Sequence, residues 1–338
     1  MKEFLRLLQT GQALSENQML EAMTKIMSGN ISELEIATFL VGLAERGETA
    51  DEITGAARVL RAQAKTIQAP SGAVDCCGTG GDGTGTYNIS TAVALVAAAC
   101  GVPVAKHGNR AASSKSGAAD VLENLGVNLQ LSKDALEVAL KQINFAFLMA
   151  PNHHAAMKHV APVRKKLGVK TIFNLLGPLS NPAGTKLQLV GVYDKKWVLP
   201  MAEALKKLGS ERAWVVHGSD GLDEITTTGS TSVAVLENDN ITEQEISPDD
   251  FGLPISTPSM LKGGDAAYNA RAVRELLAGE KTPYRDIVLA NTSAVLNIHG
   301  TAKTLAEGAI KAAAAIDSGH AAKTLQDYIN FSLQFRDA

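Results

Sequence analysis

Between Gly78 and Thr91 the chain reads GTGGDGTGTYNIST, and five of the eight residues from Gly78 to Gly85 are glycine. Glycine weakens folding through its conformational entropy, so such a density implies backbone amides that must turn inward on a compact ligand. Asn88, Ser90 and Thr91 add side-chain donors. The alanine-rich run Ala92 to Cys100 reads as a helix whose positive end faces the loop. This is an anion site, and phosphate is its natural occupant. Asp82 would repel a bare phosphate there, so either it orders the loop or a divalent cation accompanies the ligand.

A second concentration of donors, Lys106 to Lys115 (KHGNRAASSK), follows the next apolar run. Loops after neighbouring parallel strands gather at one edge of a sheet, so this basic loop can face the glycine loop across a cleft. A third feature is acidic. Asp223 and Glu224 follow the apolar strand Trp214 to Val216, and magnesium takes one or two carboxylates while completing its shell with phosphate oxygens and water. Arg164, just past Pro162, offers the fork that meets a carboxylate through two parallel hydrogen bonds. His153 and His154 lack the i, i+4 spacing of a shared metal on a helix, which leaves pocket lining or plain surface.

Two common phosphate motifs are excluded. Gly78, Gly80 and Gly83 match G-x-G-x-x-G, but the acidic residue that a dinucleotide fold needs about 20 positions later is missing. Pro103, Val104 and Lys106 stand there instead. No G-x-x-x-x-G-K-[ST] occurs anywhere in the chain.

These residues need elements to position them. Ser15 with Gln18, Ser32 with Glu35, and Thr49 with Glu52 each predict a capping box before a helical apolar pattern, so residues 1 to about 65 read as a small all-helical unit. Strand-like runs at Ala73 to Cys77, Val102 to Ala105, Phe145 to Ala150, Leu187 to Val192 and Trp214 to His217 then alternate with helical patterns. That alternation predicts a larger α/β domain, residues 70–338, with a mostly parallel central sheet. Asn174 to Gly184 (NLLGPLSNPAG) reads as a structured turn or hinge, and the segment 170–187 is expected to pack near the helical domain.

The chain's 338 residues hold 32 basic and 35 acidic side chains, a net charge of -3 that advertises neither nucleic acid nor an anionic membrane. Its longest apolar stretch is far short of the ~20 residues that span a bilayer. Cys76, Cys77 and Cys100 have neither zinc nor disulfide spacing, and the N-terminus lacks the apolar core of a signal peptide. A reducing cytoplasm is the expected compartment.

Taken together, GTGGD at Gly78, NIST at Asn88, KHGNR at Lys106, Asp223 with Glu224 in HGSDGLDEI, and the NLLGPLSNP segment resemble the anthranilate phosphoribosyltransferase family over nearly the whole chain. The resemblance implies transfer of a phosphoribosyl group from phosphoribosyl pyrophosphate to the amino group of anthranilate. It further implies magnesium, a homodimer, and a helical domain hinged on an α/β domain of the nucleoside phosphorylase and phosphoribosyltransferase type.

Carried over residue by residue, it assigns Gly78, Gly81, Asp82, Thr86, Asn88, Ile89, Ser90 and Thr91 to the pyrophosphate and ribose. Lys106, His107, Gly108, Asn109, Arg110, Ala111, Ala112, Ser113 and Ser114 would close over the phosphates. Ala118 stands where the family often has serine, so only its backbone amide could serve phosphate. Ser90, Asp223 and Glu224 would be the metal ligands; Gly78, Asn109 and Arg164 would meet anthranilate. Lys106, His107, Asn109 and Arg164 are the residues set closest to the chemistry. Two rivals remain: a pyrimidine nucleoside phosphorylase, and a noncatalytic nucleic-acid-binding relative of the same fold. The acidic pair and Arg164 argue against the first, and the small acidic surplus argues against the second.

Overall fold

The computed structural model describes residues 1–111 and 115–335. Four helices open the chain: α1 (Lys2–Gln9), α2 (Glu16–Met27), α3 (Glu33–Arg46) and α4 (Ala50–Gln63). Ser15 and Thr49 form the reciprocal capping boxes expected of them. Ser32 does not. Its hydroxyl accepts the Glu35 N–H but also donates to the Glu35 carboxylate at 2.8 Å, so that carboxylate never returns to the Ser32 amide. Glu52 does more than cap, because its fully buried carboxylate also takes the Leu14 N–H and the Arg46 guanidinium, locking three parts of the bundle together.

Strands and helices then alternate: β1 (Val74–Gly78), α5 (Ile89–Ala99), β2 (Val104–Gly108), α6 (Ala118–Asn124), α7 (Lys133–Ile143), β3 (Phe145–Met149) and the single turn α8 (Ala150–His153). After α9 (Ala161–Leu167) and α10 (Phe173–Leu179) come β4 (Leu187–Gly191), α11 (Val198–Lys207) and β5 (Arg212–Gly218). A hairpin of β6 (Thr231–Glu237) and β7 (Asn240–Ile246) leads to α12 (Ala266–Leu277), α13 (Pro283–His299), α14 (Leu305–Asp317) and α15 (His320–Leu333).

The sheet has seven strands in the order β3-β2-β1-β4-β5-β6-β7. The first five in that order run parallel, and the last two are antiparallel additions. Asn238 and Asp239 turn the hairpin with φ of 51° and 58°, a left-handed pair that these two residue types tolerate. The periodicity rules give no strand at β7, since NITEQEI has apolar residues only near its ends and is largely exposed.

Strand alternation divides the core. Leu189, Trp214 and Val216 face a cluster with α5, α7 and α12 to α15, whereas Val190, Ala213 and Val215 face α9 to α11 and the N-terminal bundle. The Asn174 to Gly184 segment is more regular than a hinge turn, because its first half completes α10 with Pro178 inside the helix. Pro178 sits near the C-terminal end, where a missing N–H removes a single bond, and its carbonyl accepts the Gln188 amide at 2.9 Å. Arg61 of α4 donates to the Leu179 carbonyl at 2.5 Å, fastening α10 to the bundle. Among the described residues no helix is long and apolar enough to cross a membrane.

Candidate active site

The glycine loop leaves β1 at Gly78 and enters α5 at Ile89. Gly80, Gly81, Gly83 and Gly85 all hold φ between 66° and 74°, which explains why side chains are excluded there. Asp82 orders the loop: one carboxylate oxygen accepts the Thr84 hydroxyl at 2.6 Å and the other its N–H at 3.2 Å. A strap of residues 261–264 braces the outside. Gly263 donates to the Gly85 carbonyl, Tyr87 to that of Leu261, and Thr86 bridges Lys262.

The NIST motif is largely committed to the protein itself. Asn88 Oδ1 accepts from Asn269 at 2.8 Å and from Ser116 at 3.1 Å, which joins the starts of α5, α6 and α12. Ile89 is core and its N–H bonds the Tyr87 carbonyl; Thr91 is fully buried with no partner for its hydroxyl among the described residues. Of the two hydroxyls in the motif, only that of Ser90 meets a functional neighbour, accepting from Lys106 Nζ at 3.1 Å.

Lys106 and His107 belong to strand β2 and do not ride on the loop that follows it. Successive strand residues face opposite sides. Lys106 is 1% exposed and its ammonium also donates to the Cys76 carbonyl at 2.7 Å, under the glycine loop. His107 points the other way, with Nδ1 3.1 Å from the Gly177 carbonyl and its ring 5.2 Å from that of His154. Burial, reinforced by His154, drives the His107 pKa down to about 3, and burial with His153 drives His154 to about 4. Both rings are neutral at pH 7. His153 and His154 are buried, which removes the surface alternative for them; His153 Nδ1 meets the Lys65 carbonyl at 2.7 Å.

Beyond Gly108 the basic loop turns outward. Asn109 is exposed and its Oδ1 accepts the Arg110 N–H at 2.8 Å. Arg110, expected to grip phosphate, forks instead onto Glu123 and Asp120 at 2.5 to 3.1 Å, because α6 presents both carboxylates directly across the loop. Asp120 Oδ2 also accepts the N–H groups of Ala111 and Gly117, drawing the two ends of the loop together. Ala112, Ser113 and Ser114 lie outside the described residues. Ala118 is the first residue of α6.

The acid pair completes the cradle from the far side. Asp223 Oδ2 accepts the Gly80 N–H at 2.7 Å. Close approach depends on two glycines that stand opposite each other in the β1–β4 register, Gly78 and Gly191. A Cβ on Gly78 would lie 2.1 Å from Asp223 Oδ2, and one on Gly191 would lie 1.5 Å from the Asp223 carbonyl oxygen. Burial and the neighbouring Asp82 push Asp223 up to about 6; burial and Asp223 push Glu224 well above the usual carboxylate range. Two half-buried carboxyls that resist ionising side by side, next to a serine hydroxyl, suit a hard cation whose charge would offset their repulsion. Among the described residues no group of three or more His, Cys, Asp or Glu gathers to hold a metal.

Arg164 stands on α9 with its guanidinium 5.2 Å from the Phe173 ring centroid. Burial lowers its pKa, and no carboxylate pairs with it among the described residues. No hydrogen bond joins it to Gly78 or Asn109 among those residues. The sequence reading omits Gly191, Asn269 and Asn291; the polar run Asn291-Thr292-Ser293 inside otherwise apolar α13 is the one local signal of the last.

Residues 71–322 match the glycosyl transferase family α/β domain, and residues 2–64 match that family's helical bundle domain. The chain is 57% identical over 324 residues to the anthranilate phosphoribosyltransferase of Rhodospirillum rubrum, covering 96% of this chain and 93% of that protein.

The chain belongs to the anthranilate phosphoribosyltransferase family.

Solved members of the family superpose closely. The Thermus thermophilus enzyme is 42% identical with a TM-score of 0.92, covering 98% of this chain and 99% of that one. The Saccharomyces cerevisiae enzyme in complex with PRPP and Mg is 29% identical with a TM-score of 0.89, covering 98% of both chains. Neither rival reading finds support among these relatives.

Proposed function

We propose that this chain transfers the phosphoribosyl group of 5-phosphoribosyl 1-pyrophosphate to the amino group of anthranilate, giving N-(5-phosphoribosyl)anthranilate and pyrophosphate. This is the second step of tryptophan biosynthesis. Within a family of that activity, the observation that carries the reading is the bond from Gly80 to Asp223, which makes the phosphate cradle and the acid pair one site.

In the reaction the anthranilate nitrogen bonds to C1 of the ribose, the bond from C1 to the pyrophosphate oxygen breaks with its electrons, and the amine gives up one proton. Gly78, Gly81, Asp82, Thr86 and the start of α5 hold the pyrophosphate and ribose. Ser90, Asp223 and Glu224 would hold magnesium, which would supply positive charge to offset that of the departing pyrophosphate. Lys106 supplies a fixed positive charge from below, placed by its bonds to Cys76 and Ser90. Arg164 and Asn109 take the anthranilate carboxylate and amine, beside the Gly78 backbone. His107 is neutral and a weak base, which suffices because a neutral aromatic amine is already nucleophilic and catalysis rests on positioning.

The same reading carries a cytoplasmic homodimer with a helical domain 1–65 and an α/β domain 70–338 that hinge at 170–187. The test follows anthranilate fluorescence on addition of phosphoribosyl pyrophosphate and magnesium. Loss of fluorescence is expected, and Asp223→Asn combined with Glu224→Gln should abolish it; unchanged turnover in that double variant at saturating magnesium would overturn the metal assignment.

A further inference from the structure

Asn291 occupies the middle of α13 and is 0% exposed. Asparagine is a poor helix former, and an amide in an apolar core is unfavourable unless every polar atom is paired. Here every bond has a partner, and two of them go to one residue outside the helix. Asn291 Oδ1 accepts the Ile225 N–H at 2.9 Å, and Nδ2 donates to the Ile225 carbonyl at 2.8 Å and to the Ile287 carbonyl at 2.9 Å. The side chain therefore imitates a neighbouring strand, gripping both backbone groups of the residue that follows Glu224.

The residue before Glu224 is restrained from the opposite direction. The Asp223 carbonyl oxygen occupies the space that a Cβ on Gly191 would need, so its backbone rests on the end of β4. Glu224 thus sits between a residue seated on β4 and a residue clamped by α13. Without such restraint, two adjacent carboxylates would spread by mutual repulsion until a cation drew them together.

We propose that Asn291 is a positioning residue for the acid pair, holding Asp223 and Glu224 in their metal-binding arrangement before any ligand arrives. The inference rests on the transferase reading of the site. Preorganisation of this kind raises affinity by removing an ordering cost from the binding step. Its effect belongs to the metal-linked part of phosphoribosyl pyrophosphate binding, and anthranilate binding is untouched.

The experiment is isothermal titration of Asn291→Leu, which keeps volume and deletes the clamp, with phosphoribosyl pyrophosphate in magnesium and again in chelator. Binding in magnesium should weaken about 10-fold or more, with the chelator arm changed by less than about 2-fold and the Michaelis constant for anthranilate unchanged. Equal weakening in both arms, or none in magnesium, would overturn the proposal. If the variant does not fold, hydrogen exchange on the unaltered protein decides. The Ile225 amide should be protected in the free protein; free exchange that slows only when magnesium and phosphoribosyl pyrophosphate are added would overturn it. Failure of the unaltered protein to bind phosphoribosyl pyrophosphate at all would sink the transferase reading, and the exchange result would still judge the clamp.

Discussion

The backbone N–H of Gly80 donates to Asp223 Oδ2 at 2.7 Å across 143 residues of chain. That bond ties the most flexible stretch of sequence to the acidic loop after β5. It leaves the other carboxylate oxygen of Asp223, the carboxylate of Glu224 and the hydroxyl of Ser90 for the proposed magnesium. Everything else in the site is arranged to let this meeting occur.

Gly191 is the clearest structural requirement. Replacement by alanine puts a methyl carbon 1.5 Å from the Asp223 carbonyl oxygen, a clash with backbone that no rotamer change relieves. Overpacking of this kind costs about 3 kcal/mol or more. Gly191→Ala should lower the melting temperature by several degrees and turnover by about 100-fold, since β4 and the acid loop must separate. Thermal melting and the anthranilate fluorescence assay read the two effects. Wild-type values in both would show that the close approach is not needed.

Arg164 combines partial burial with the lack of a carboxylate partner among the described residues. A substrate carboxylate would supply the missing pair through two parallel hydrogen bonds. Arg164→Ala should raise the Michaelis constant for anthranilate about 10-fold or more and leave that for phosphoribosyl pyrophosphate within about 2-fold. Arg164→Lys should not restore it, because an ammonium is a point donor. Steady-state kinetics with each substrate varied in turn checks this, and a parallel rise in both constants would place Arg164 outside the anthranilate pocket.

The buried histidines predict a pH dependence of stability with a definite sign. His107 and His154 have folded pKa values of about 3 and about 4, below the value of about 6.5 in an unfolded chain. Between those limits the unfolded state binds more protons at these two rings, so the stability they contribute is complete above about pH 6.5 and is lost as pH drops. Each ring can contribute a slope approaching about 1.4 kcal/mol per pH unit. Asp223 and Glu224, whose pKa values are raised, contribute the opposite slope, so the readout is a difference. From pH 7 to pH 5 the melting temperature of His154→Gln should gain on that of the unaltered protein. Parallel curves for the two proteins would mean that His154 is not held neutral by the fold.

Much of the site was legible in contiguous residues because its requirements are local. A left-handed backbone needs glycine at positions 80, 81, 83 and 85, and the helix start that follows is written in the next few residues. The acid pair is adjacent in sequence, and the parallel strands announce themselves as short apolar runs between helices. Family membership rests on these same contiguous motifs.

What sequence did not determine is which partners each of those residues meets. Lys106 and His107 look equivalent in KHGNR, yet strand pleating buries one under the cradle and sends the other toward Gly177 and His154. Arg110 reads as a phosphate grip until α6 brings Glu123 and Asp120 across from it. The β7 strand carries no apolar stripe, because as an exposed edge it pairs through backbone alone. Gly191 and Asn291 matter only because Asp223 and Ile225 are delivered against them from another part of the chain. Backbone conformation is encoded residue by residue, so sequence determined the cradle; distance between remote groups follows from packing the whole chain, so only tertiary structure decided what the cradle holds against.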